Sequence, residues 1–589
     1  MRIKSILIAS AALALALPAL AQQQLQPAPS NPTQYPTNTA IPSPAQPISR
    51  PNSAAPSGSG ADETAVEELS GVEFELPPPP VEYPGWARRD PWVVGQLDPV
   101  DLGLGPSPWR TASGAFLSTL MRRMDTPIAS RWAHIALRDA LLAKVRAPRD
   151  VNPVDWVAER AWLLLRMGEA DAARMLVAGV DADRFTPKMV QVGVQSALAN
   201  ADPPALCPLE EGIRKYEPRI RALVSAMCAS LAGEPESAAA QVDDARRHGR
   251  IGGIDLTLAE KVVGAGANTG RAVTIEWDPV DQLTAWRFGL ATATGLTLPG
   301  RLLGSASPQL RAFQARSPSL SAQQRLPSAF IAAGLGVFSS QTMIDLYSAI
   351  YDATDPGDLP DTDAWQLRQA FVGRDRETKI AAMRKLLGNS NDPLEKEARR
   401  ALVARAATLI DPDAELKEDV PELISAMLAA GYDRAAARWA GPVRGMNDAT
   451  GDRAWAILAL AAPDARGTDL SFSRITRFIG RDQSTNRVRS ALLVAGLAGV
   501  GRISTDTANA LNRRYGLGLG RTSSWTKIVD AAAGRGQSGT VLVLTGTGLQ
   551  TTSFANVPPS HLYHALAALE RTDQDFTARM IAAEALSRT

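Results

Sequence analysis

The 589-residue sequence contains few of the side chains that usually carry catalysis or bind metals. It has four histidines and two cysteines. His561 and His564, in "HLYH", have a helical spacing that can bind a metal, but the glutamate of a zincin motif and a nearby cluster of ligands are missing. We interpret the pair as packing or surface histidines. The sequence predicts no metal ion, no cofactor and no catalytic residue.

An excess of charge of one sign is also missing. The chain has 62 Lys and Arg residues against 61 Asp and Glu residues, and no block of like charge stands out. A nucleic-acid-binding protein needs a concentrated basic surface. The balanced composition therefore argues against a nucleic-acid partner.

Long apolar runs are scarce, and the marked one, from 6 to 17, is too short to span a bilayer, which needs ~20 apolar residues. The basic residues Arg2 and Lys4 precede this run, and Ala19-Leu20-Ala21 follows it with the small-x-small pattern of a cleavage site. We predict a signal peptide over 1–21. The mature protein is expected to be exported without membrane insertion, with the periplasm favoured and an extracellular location as the alternative.

Residues 22–87 are expected to form a disordered linker. The segment is rich in Pro, Gln and Ser, turns acidic near its end and carries "PPPP" at 77–80. Such a composition buries too little apolar surface to offset the entropy of ordering the chain. We favour a spacer, and the alternative is a proline ligand for an aromatic groove.

From 88 to 589 the sequence predicts an all-α fold. Apolar residues recur at helical spacing, and the pairs Asn152-Pro153, Asp278-Pro279 and Asp392-Pro393 have the cap-then-proline pattern of helix starts. This helical repeat region has a candidate subdivision near 250–330.

Strand-like sequence is confined to two short candidates. These are "RAVTIEW" at 271–277 and "TVLVLTG" at 540–546. Both are too short to change the predicted class.

The two cysteines, Cys207 and Cys228, are predicted to form a disulfide across a helical hairpin. Glu217-Pro218 breaks the helical pattern near the midpoint between them, so two helices that fold back would place both cysteines at the same height. Export to an oxidising compartment favours pairing. The alternatives are two unpaired buried thiols and, less favoured, a zinc site.

A short pattern recurs along the chain: a turn residue, usually Gly, is followed five positions later by Ala. Gly tolerates the left-handed end of one helix, and Ala lets the next helix pack closely. The four copies are Gly168 with Ala173, Gly233 with Ala238, Gly431 with Ala436, and Asp573 with Ala578. The stretches 250–330 and 505–560 carry no clear copy.

This pattern resembles the junction between the two helices of a tetratricopeptide repeat, and the intervals from 168 to 233 and from 233 to 431 lie near multiples of its unit of about 34 residues. The resemblance is to a degenerate form, because the aromatic and proline positions of the repeat are mostly absent. It implies a right-handed α-solenoid of stacked helical hairpins. It also implies a binding or scaffolding role, because such solenoids leave an extended surface free.

Three glycine-rich stretches could suggest nucleotide binding: 264–270, 516–521 and 541–550. A dinucleotide site needs a helix that opens at the glycines and an acidic residue about 20 positions later, and a phosphate loop needs a lysine. These features are missing, so we interpret all three stretches as linkers between helices.

Trp86, Trp92 and Trp109 lie at or before the first predicted helices. They could form a platform for a carbohydrate or a peptide, but we favour an anchoring role at the start of the helical region.

The outline of the chain is also similar to that of soluble lytic transglycosylases, which are exported, contain a long α-superhelix and use the Glu of a Glu-Ser motif as general acid. Here the Glu-Ser pair is Glu236-Ser237, in a turn at mid-chain, and the last 100 residues have no such pair. The sequence therefore favours a non-enzymatic scaffold or adaptor that binds envelope proteins. The alternative is a factor that binds or processes peptidoglycan or another polysaccharide.

Overall fold

The computed structural model of the protein describes residues 84–124, 127–248, 251–267 and 274–589. The predicted signal peptide and nearly all of the predicted linker, 1–83, lie outside the described residues. The described residues belong to one compact unit, which includes the described part of 250–330.

The described residues are predominantly helical, which confirms the predicted all-α class. The α-helices among them are α1 (Gly114–Arg123), α2 (Arg131–Leu142), α3 (Pro153–Met167), α4 (Ala170–Val177), α5 (Pro187–Ala199), α6 (Glu210–Tyr216), α7 (Arg221–Leu231), α8 (Pro235–His248), α9 (Gly253–Gly266), α10 (Ala285–Ala293), α11 (Gly300–Gly304), α12 (Pro308–Arg316), α13 (Ala322–Leu335), α14 (Ser340–Asp352), α15 (Asp363–Val372), α16 (Arg376–Leu387), α17 (Pro393–Ala407), α18 (Val420–Ala429), α19 (Asp433–Ala437), α20 (Ala440–Arg444), α21 (Ala449–Ala461), α22 (Phe472–Arg481), α23 (Val488–Gly499), α24 (Thr505–Tyr515), α25 (Ser524–Gly534), α26 (Ser538–Gly548), α27 (Pro559–Glu570) and α28 (Asp575–Ser587).

Short 3-10 helices and one small strand pair complete the secondary structure of these residues. The 3-10 helices are Gly85–Ala87, Ala182–Arg184, Pro203–Leu209, Leu359–Asp361, Ala414–Leu416, Thr485–Arg487 and Phe554–Asn556. The strands β1 (Val93–Val94) and β2 (Val145–Arg146) pair antiparallel. Many helices pack against the next helix along the chain, as in α3 with α4, α7 with α8 and α17 with α18, and this arrangement is compatible with a solenoid.

Two of the three predicted cap-then-proline helix starts are confirmed. Asn152 Oδ1 accepts hydrogen bonds from the amides of Val154 and Asp155, and Pro153 occupies the first position of α3. Asp392 caps α17 in the same way. The side chain satisfies an amide that the first turn leaves without a partner, and proline has no amide to satisfy.

The third predicted start, at Asp278-Pro279, is wrong. Helix α10 begins at Ala285, and its cap is Thr284. The guanidinium of Arg301 donates hydrogen bonds to the carbonyls of Trp277, Asp278 and Val280. If the helix began at Pro279, the carbonyls of Asp278 and Val280 would accept from its amides. The Arg301 side chain, distant in sequence, therefore holds the segment in an irregular conformation.

The four predicted turns are confirmed as left-handed helix ends. At each one, the turn residue donates its amide to the carbonyl three residues earlier, and the next amide donates to the carbonyl five residues before it. This is the Schellman pattern. The alanine five positions later is fully buried at all four junctions. The φ angles of the turn residues are 88° at Gly168, 84° at Gly233, 80° at Gly431 and 61° at Asp573.

The same pair of hydrogen bonds also occurs at turns that the sequence pattern missed. These turns are centred on Ala201, Gly295, Gly336, Gly501 and Gly536. None of them has Ala five positions later. Gly295 and Gly536 lie in the two stretches without a clear copy of the pattern, so the backbone turn is more widespread than its Gly–Ala signature.

The segment "TVLVLTG" is not a strand, and its glycines are not a linker. It lies within α26, and every residue from 540 to 546 is buried. A helix that is apolar on all sides belongs in a core, and a short apolar run cannot be assigned to helix or strand by its periodicity alone. A Cβ at Gly546 would lie 3.0 Å from Leu137 Cδ2, and one at Gly548 would lie 2.2 Å from Trp525 Cζ2. These glycines let neighbouring helices approach α26.

The stretch 516–521 is a linker between α24 and α25, as predicted. The first residues of 264–270 end α9, and 268–270 lie outside the described residues. The strand candidate 271–277 is described from 274 onward, where it is irregular.

Helix α2 joins the early and late parts of the helical region. It contacts α3, α4, α13, α26 and α28. Glu584 of α28 accepts hydrogen bonds from Ser130 Oγ at 2.5 Å and from the Arg131 amide at 2.8 Å. The Arg131 side chain donates to the carbonyls of Ala333 at 2.9 Å, Phe338 at 3.0 Å and Ala429 at 2.5 Å. One buried side chain thus ties α2 to α13, to the residues that follow α13, and to α18.

The three early tryptophans differ in burial. Trp109 is 2% exposed and packs edge-to-face on Trp156, with 5.3 Å between ring centroids. Trp92 lies under the guanidinium of Arg146, and Trp86 is 88% exposed. The favoured anchoring role therefore fits Trp109, which also contacts α26 at Gly539.

Candidate binding cleft beside the disulfide

A disulfide joins Cys207 and Cys228, whose Cα atoms are 5.6 Å apart. Cys207 belongs to the 3-10 helix Pro203–Leu209, and Cys228 belongs to α7. Helix α6 ends at Tyr216 and α7 begins at Arg221, so the break falls at the predicted Glu217-Pro218. In the chain-entropy model, closing a loop of this size stabilises the fold by ~3 kcal/mol.

The hairpin closed by this disulfide packs tightly on α5. A Cβ at Gly212 would lie 2.6 Å from Val190 Cγ2, and one at Gly193 would lie 2.9 Å from Leu209 Cδ1. Ile213 is fully buried. The two glycines permit this close approach, which fixes the turn between α6 and α7 relative to α5.

The turn forms one wall of a cleft of about 630 Å³, a size typical of ligand sites. Five parts of the chain line it: α3, α5, the hairpin turn, the segment that begins α9 and the segment that begins α10. The lining residues are Trp162, Gln191, Val194, Gln195, Leu198, Glu217, Arg219, Ile220, Ile251, Gly252, Asp255, Thr284, Ala285 and Trp286.

Two half-buried tryptophans supply the aromatic surface of the cleft. Trp286 Nε1 donates a hydrogen bond to the carbonyl of Asp255 at 3.0 Å. The neighbouring Arg287 binds both carboxylate oxygens of Asp255, at 2.8 and 3.1 Å. Hydrogen bonding to Asp255 is the main reason that the pKa of Arg287 is raised. These contacts fix the Trp286 ring, whereas Trp162 Nε1 makes no hydrogen bond to any described residue.

Several polar side chains in the cleft are free to bind a ligand. Gln191 and Gln195 lie one turn apart on α5, and Glu217 and Arg219 lie on the hairpin turn. Within the described parts of the chain, none of these four side chains has a hydrogen-bond or ion-pair partner. Together they offer donors and acceptors in a cleft that two aromatic side chains also line. This combination suits a ligand that carries both apolar surface and repeated polar groups.

The histidines of "HLYH" have structural partners. Both lie in α27. His564 Nδ1 is 2.9 Å from Asp530 Oδ2, and the His561 ring packs on Trp525 with 4.4 Å between ring centroids. Among the described residues there is no group of three or more His, Cys, Asp and Glu side chains placed to hold a metal ion.

The Glu-Ser pair lies outside the cleft. Glu236 is an exposed residue in the first turn of α8 and is absent from the lining of the cleft.

The sequence singled out Cys207 and Cys228 but missed the residues that line the cleft. Trp162, Gln191 and Trp286 lie on separate helices, so no local motif connects them. One signal was present: α5 reads "PKMVQVGVQSALA", in which two glutamines four positions apart interrupt an apolar helix.

Comparisons with protein-family models, with curated proteins and with solved structures find no match to this chain. Within the described parts of the chain, every helix is too short or too polar to traverse a lipid bilayer.

Proposed function

We propose that the protein is an exported, non-enzymatic helical-repeat protein that acts as a binding scaffold or adaptor in the bacterial cell envelope. In this proposal the cleft beside the disulfide holds an extended segment of a protein partner. The observation that carries it is the pair Gln191 and Gln195, whose amide groups have no partner among the described residues and which line the same cleft as Trp162 and Trp286.

The spacing of the two glutamines supports an extended peptide. Four residues of an α-helix rise about 6 Å. An extended peptide repeats the direction of its backbone groups every two residues, or about 6.6 Å. The amides of Gln191 and Gln195 can therefore pair with two successive backbone groups of like orientation, while Trp162 and Trp286 contact side chains.

Further features support export and the repeat character. The pattern of 1–21 is that of a signal peptide, and a paired cysteine is typical of an oxidising compartment. The Schellman turns followed by buried alanines fit a degenerate tetratricopeptide-like repeat. Solenoids of this kind commonly bind protein segments on their free surface.

A second candidate is binding of a glycan such as peptidoglycan. The aromatic side chains of Trp162 and Trp286, together with the free Glu217 carboxylate and the two amides, also suit a chain of hydroxyl-bearing rings. The two candidates share the cleft and differ in what they capture.

An affinity experiment tests the proposal. The tagged full chain is crosslinked in its native cells, purified and compared with the double variant Gln191→Ala/Gln195→Ala. The exposed Gln341 on α14 supplies the control Gln341→Ala. We expect one envelope protein to copurify with the wild type and the control and to be lost from the double variant. Retention of wild type on isolated peptidoglycan, lost in the double variant and without a protein partner, would favour the glycan. An unchanged set of partners in the double variant would contradict the proposal.

A further inference from the structure

A small arginine-lined cavity lies far along the chain from the cleft, between α20, α21 and α22. Its volume is about 110 Å³. Three arginines line it, Arg444, Arg474 and Arg477, and the acidic residue among its lining is Asp469. Trp455 also lines it. We call it the arginine cavity.

Arg474 is the buried member of this set. Its side chain is 9% exposed, and its guanidinium carbon lies 3.9 Å from the centroid of the Trp455 ring. Nη2 pairs with Asp452 Oδ1 at 2.8 Å. Nη1 is buried and makes no hydrogen bond with any described residue. A buried guanidinium N–H without an acceptor is costly.

The neighbouring carboxylates do not balance the arginines. Asp452 Oδ2 also accepts a hydrogen bond from Arg481 Nη1 at 3.1 Å, so one carboxylate serves two guanidinium groups. Asp469 accepts a hydrogen bond from the amide of Ser471, which is the main reason that its pKa is lowered. Asp469 therefore stays ionised at neutral pH but is also engaged locally.

The other two arginines of the cavity, Arg444 and Arg477, have no carboxylate partner among the described residues, and we call them the rim arginines. Arg444 donates a hydrogen bond to the carbonyl of Gly467 at 3.0 Å, and Arg477 forms no hydrogen bond or ion pair with a described residue. Burial lowers the pKa of Arg474, Asp452 opposes this change, and the charge of Arg477 adds to it. Because three arginines line the cavity and Asp469 is the acidic residue of its lining, the cavity carries an excess of positive charge.

We propose that the arginine cavity binds a small tetrahedral oxyanion, a phosphate or sulfate group, through Arg444, Arg474 and Arg477. The planar fork of a guanidinium matches the paired oxygens of such a group. The volume has room for a few heavy atoms. The group is either a free ion or part of a larger molecule.

Calorimetric titration of the full chain tests this site. The probes are inorganic phosphate and glycerol phosphate, each at constant ionic strength in chloride buffer. We expect one phosphate to bind per chain, and Arg444→Gln and Arg477→Gln each to weaken binding about fivefold. Arg374 is exposed, pairs with Asp375 and does not line the cavity, so it supplies the control Arg374→Gln, which should bind as the wild type does.

The outcomes separate the two sources of the oxyanion. Binding of phosphate alone supports a free ion, and binding of both probes supports a phosphate group carried by a larger molecule. No heat of binding with either probe up to about 10 mM would overturn the proposal. Equal weakening of phosphate binding by Arg444→Gln, Arg477→Gln and the control Arg374→Gln would also overturn it, because the net charge of the protein would then explain the binding. Arg474→Lys is informative only where circular dichroism shows a folded protein, so the rim variants carry the test.

Discussion

The Glu584 carboxylate accepts hydrogen bonds from Ser130 Oγ and from the Arg131 amide, although Ser130 and Glu584 are 454 residues apart in sequence. Glu584 also lies 3.3 Å from the amide of Trp132 and 2.6 Å from Arg588 Nη1. A carboxylate from α28 therefore satisfies the first amides of α2 and lies at the positive end of that helix dipole. This contact joins the early and late helices of the described region.

Removal of this carboxylate should destabilise the whole fold. Glu584→Ala leaves the first amides of α2 without their acceptor and removes the carboxylate that pairs with Arg588. We expect a loss of about 3 kcal/mol in the free energy of unfolding. Urea unfolding followed by circular dichroism measures it. Glu377→Ala, at an exposed position on α16, is the matched control. Equal stability of the two variants would show that the contact between α2 and α28 contributes little.

The disulfide should stabilise the hairpin that borders the cleft. Without reductant, we expect the wild type to exceed Cys207→Ser/Cys228→Ser in stability by up to ~3 kcal/mol, because the bond restricts the unfolded chain. Reductant should lower the stability of the wild type and leave the double variant unchanged. Non-reducing peptide mapping is the direct check. Alkylation of both cysteines in protein taken from the envelope would contradict the pairing.

Glu422 should contribute to acid sensitivity. Burial alone would raise its pKa, but the charge and hydrogen bond of Arg400, with Arg453 nearby, lower it to about 2. Because the folded pKa lies below the unfolded value of 4.5, the stabilisation is complete above pH 4.5 and is lost as the pH falls towards 2. The shift corresponds to at most about 3 kcal/mol.

Unfolding free energies of the wild type and of Glu422→Gln, measured from pH 7 down to pH 3, test this prediction. The variant should be less stable at pH 7, and the difference should shrink as the pH falls below 4.5. Glu418→Gln, at an exposed site, should follow the wild type. A constant difference between wild type and Glu422→Gln across the range would exclude the ionised carboxylate as its source.

Two glycines near the end of the chain should respond to alanine with opposite sign. In α26, a Cβ at Gly548 collides with the Trp525 ring, so Gly548→Ala should cost about 1–3 kcal/mol. In α25, a Cβ at Gly534 meets no atom within 4 Å, so Gly534→Ala should be neutral or stabilising by up to about 1 kcal/mol. Thermal unfolding of the two variants distinguishes close helix packing from a glycine linker, in which both substitutions would be tolerated.

The features that were predictable from the sequence are local ones. Asn152-Pro153 caps a helix, and Gly168 ends one, because the groups that act lie within a few residues of each other. Asp278-Pro279 carries the same local signal as Asn152-Pro153. However, the Arg301 guanidinium donates hydrogen bonds to the carbonyls of Asp278 and Val280, which would accept from helix amides if a helix began there. Local propensity was overridden there by a contact distant in sequence.

The features that were not predictable depend on contacts between distant segments. Nothing in the sequence near Ser130 indicates that its partner is Glu584. The cleft was missed for the same reason, since Trp162, Gln195 and Trp286 meet only after α3, α5 and α10 have packed. The cysteine pair was the exception, because both halves of the hairpin lie within one short segment.

The most direct test of the proposed function places a photo-crosslinking amino acid at Gln195, inside the cleft, and at Gln341, exposed on α14. Irradiation of cells that express the full chain should link the Gln195 variant to one envelope protein, through a peptide segment identifiable by mass spectrometry. The Gln341 variant should give no such product. If both positions capture the same proteins, or if Gln195 captures nothing while Gln341 captures a partner, the cleft is not the binding site.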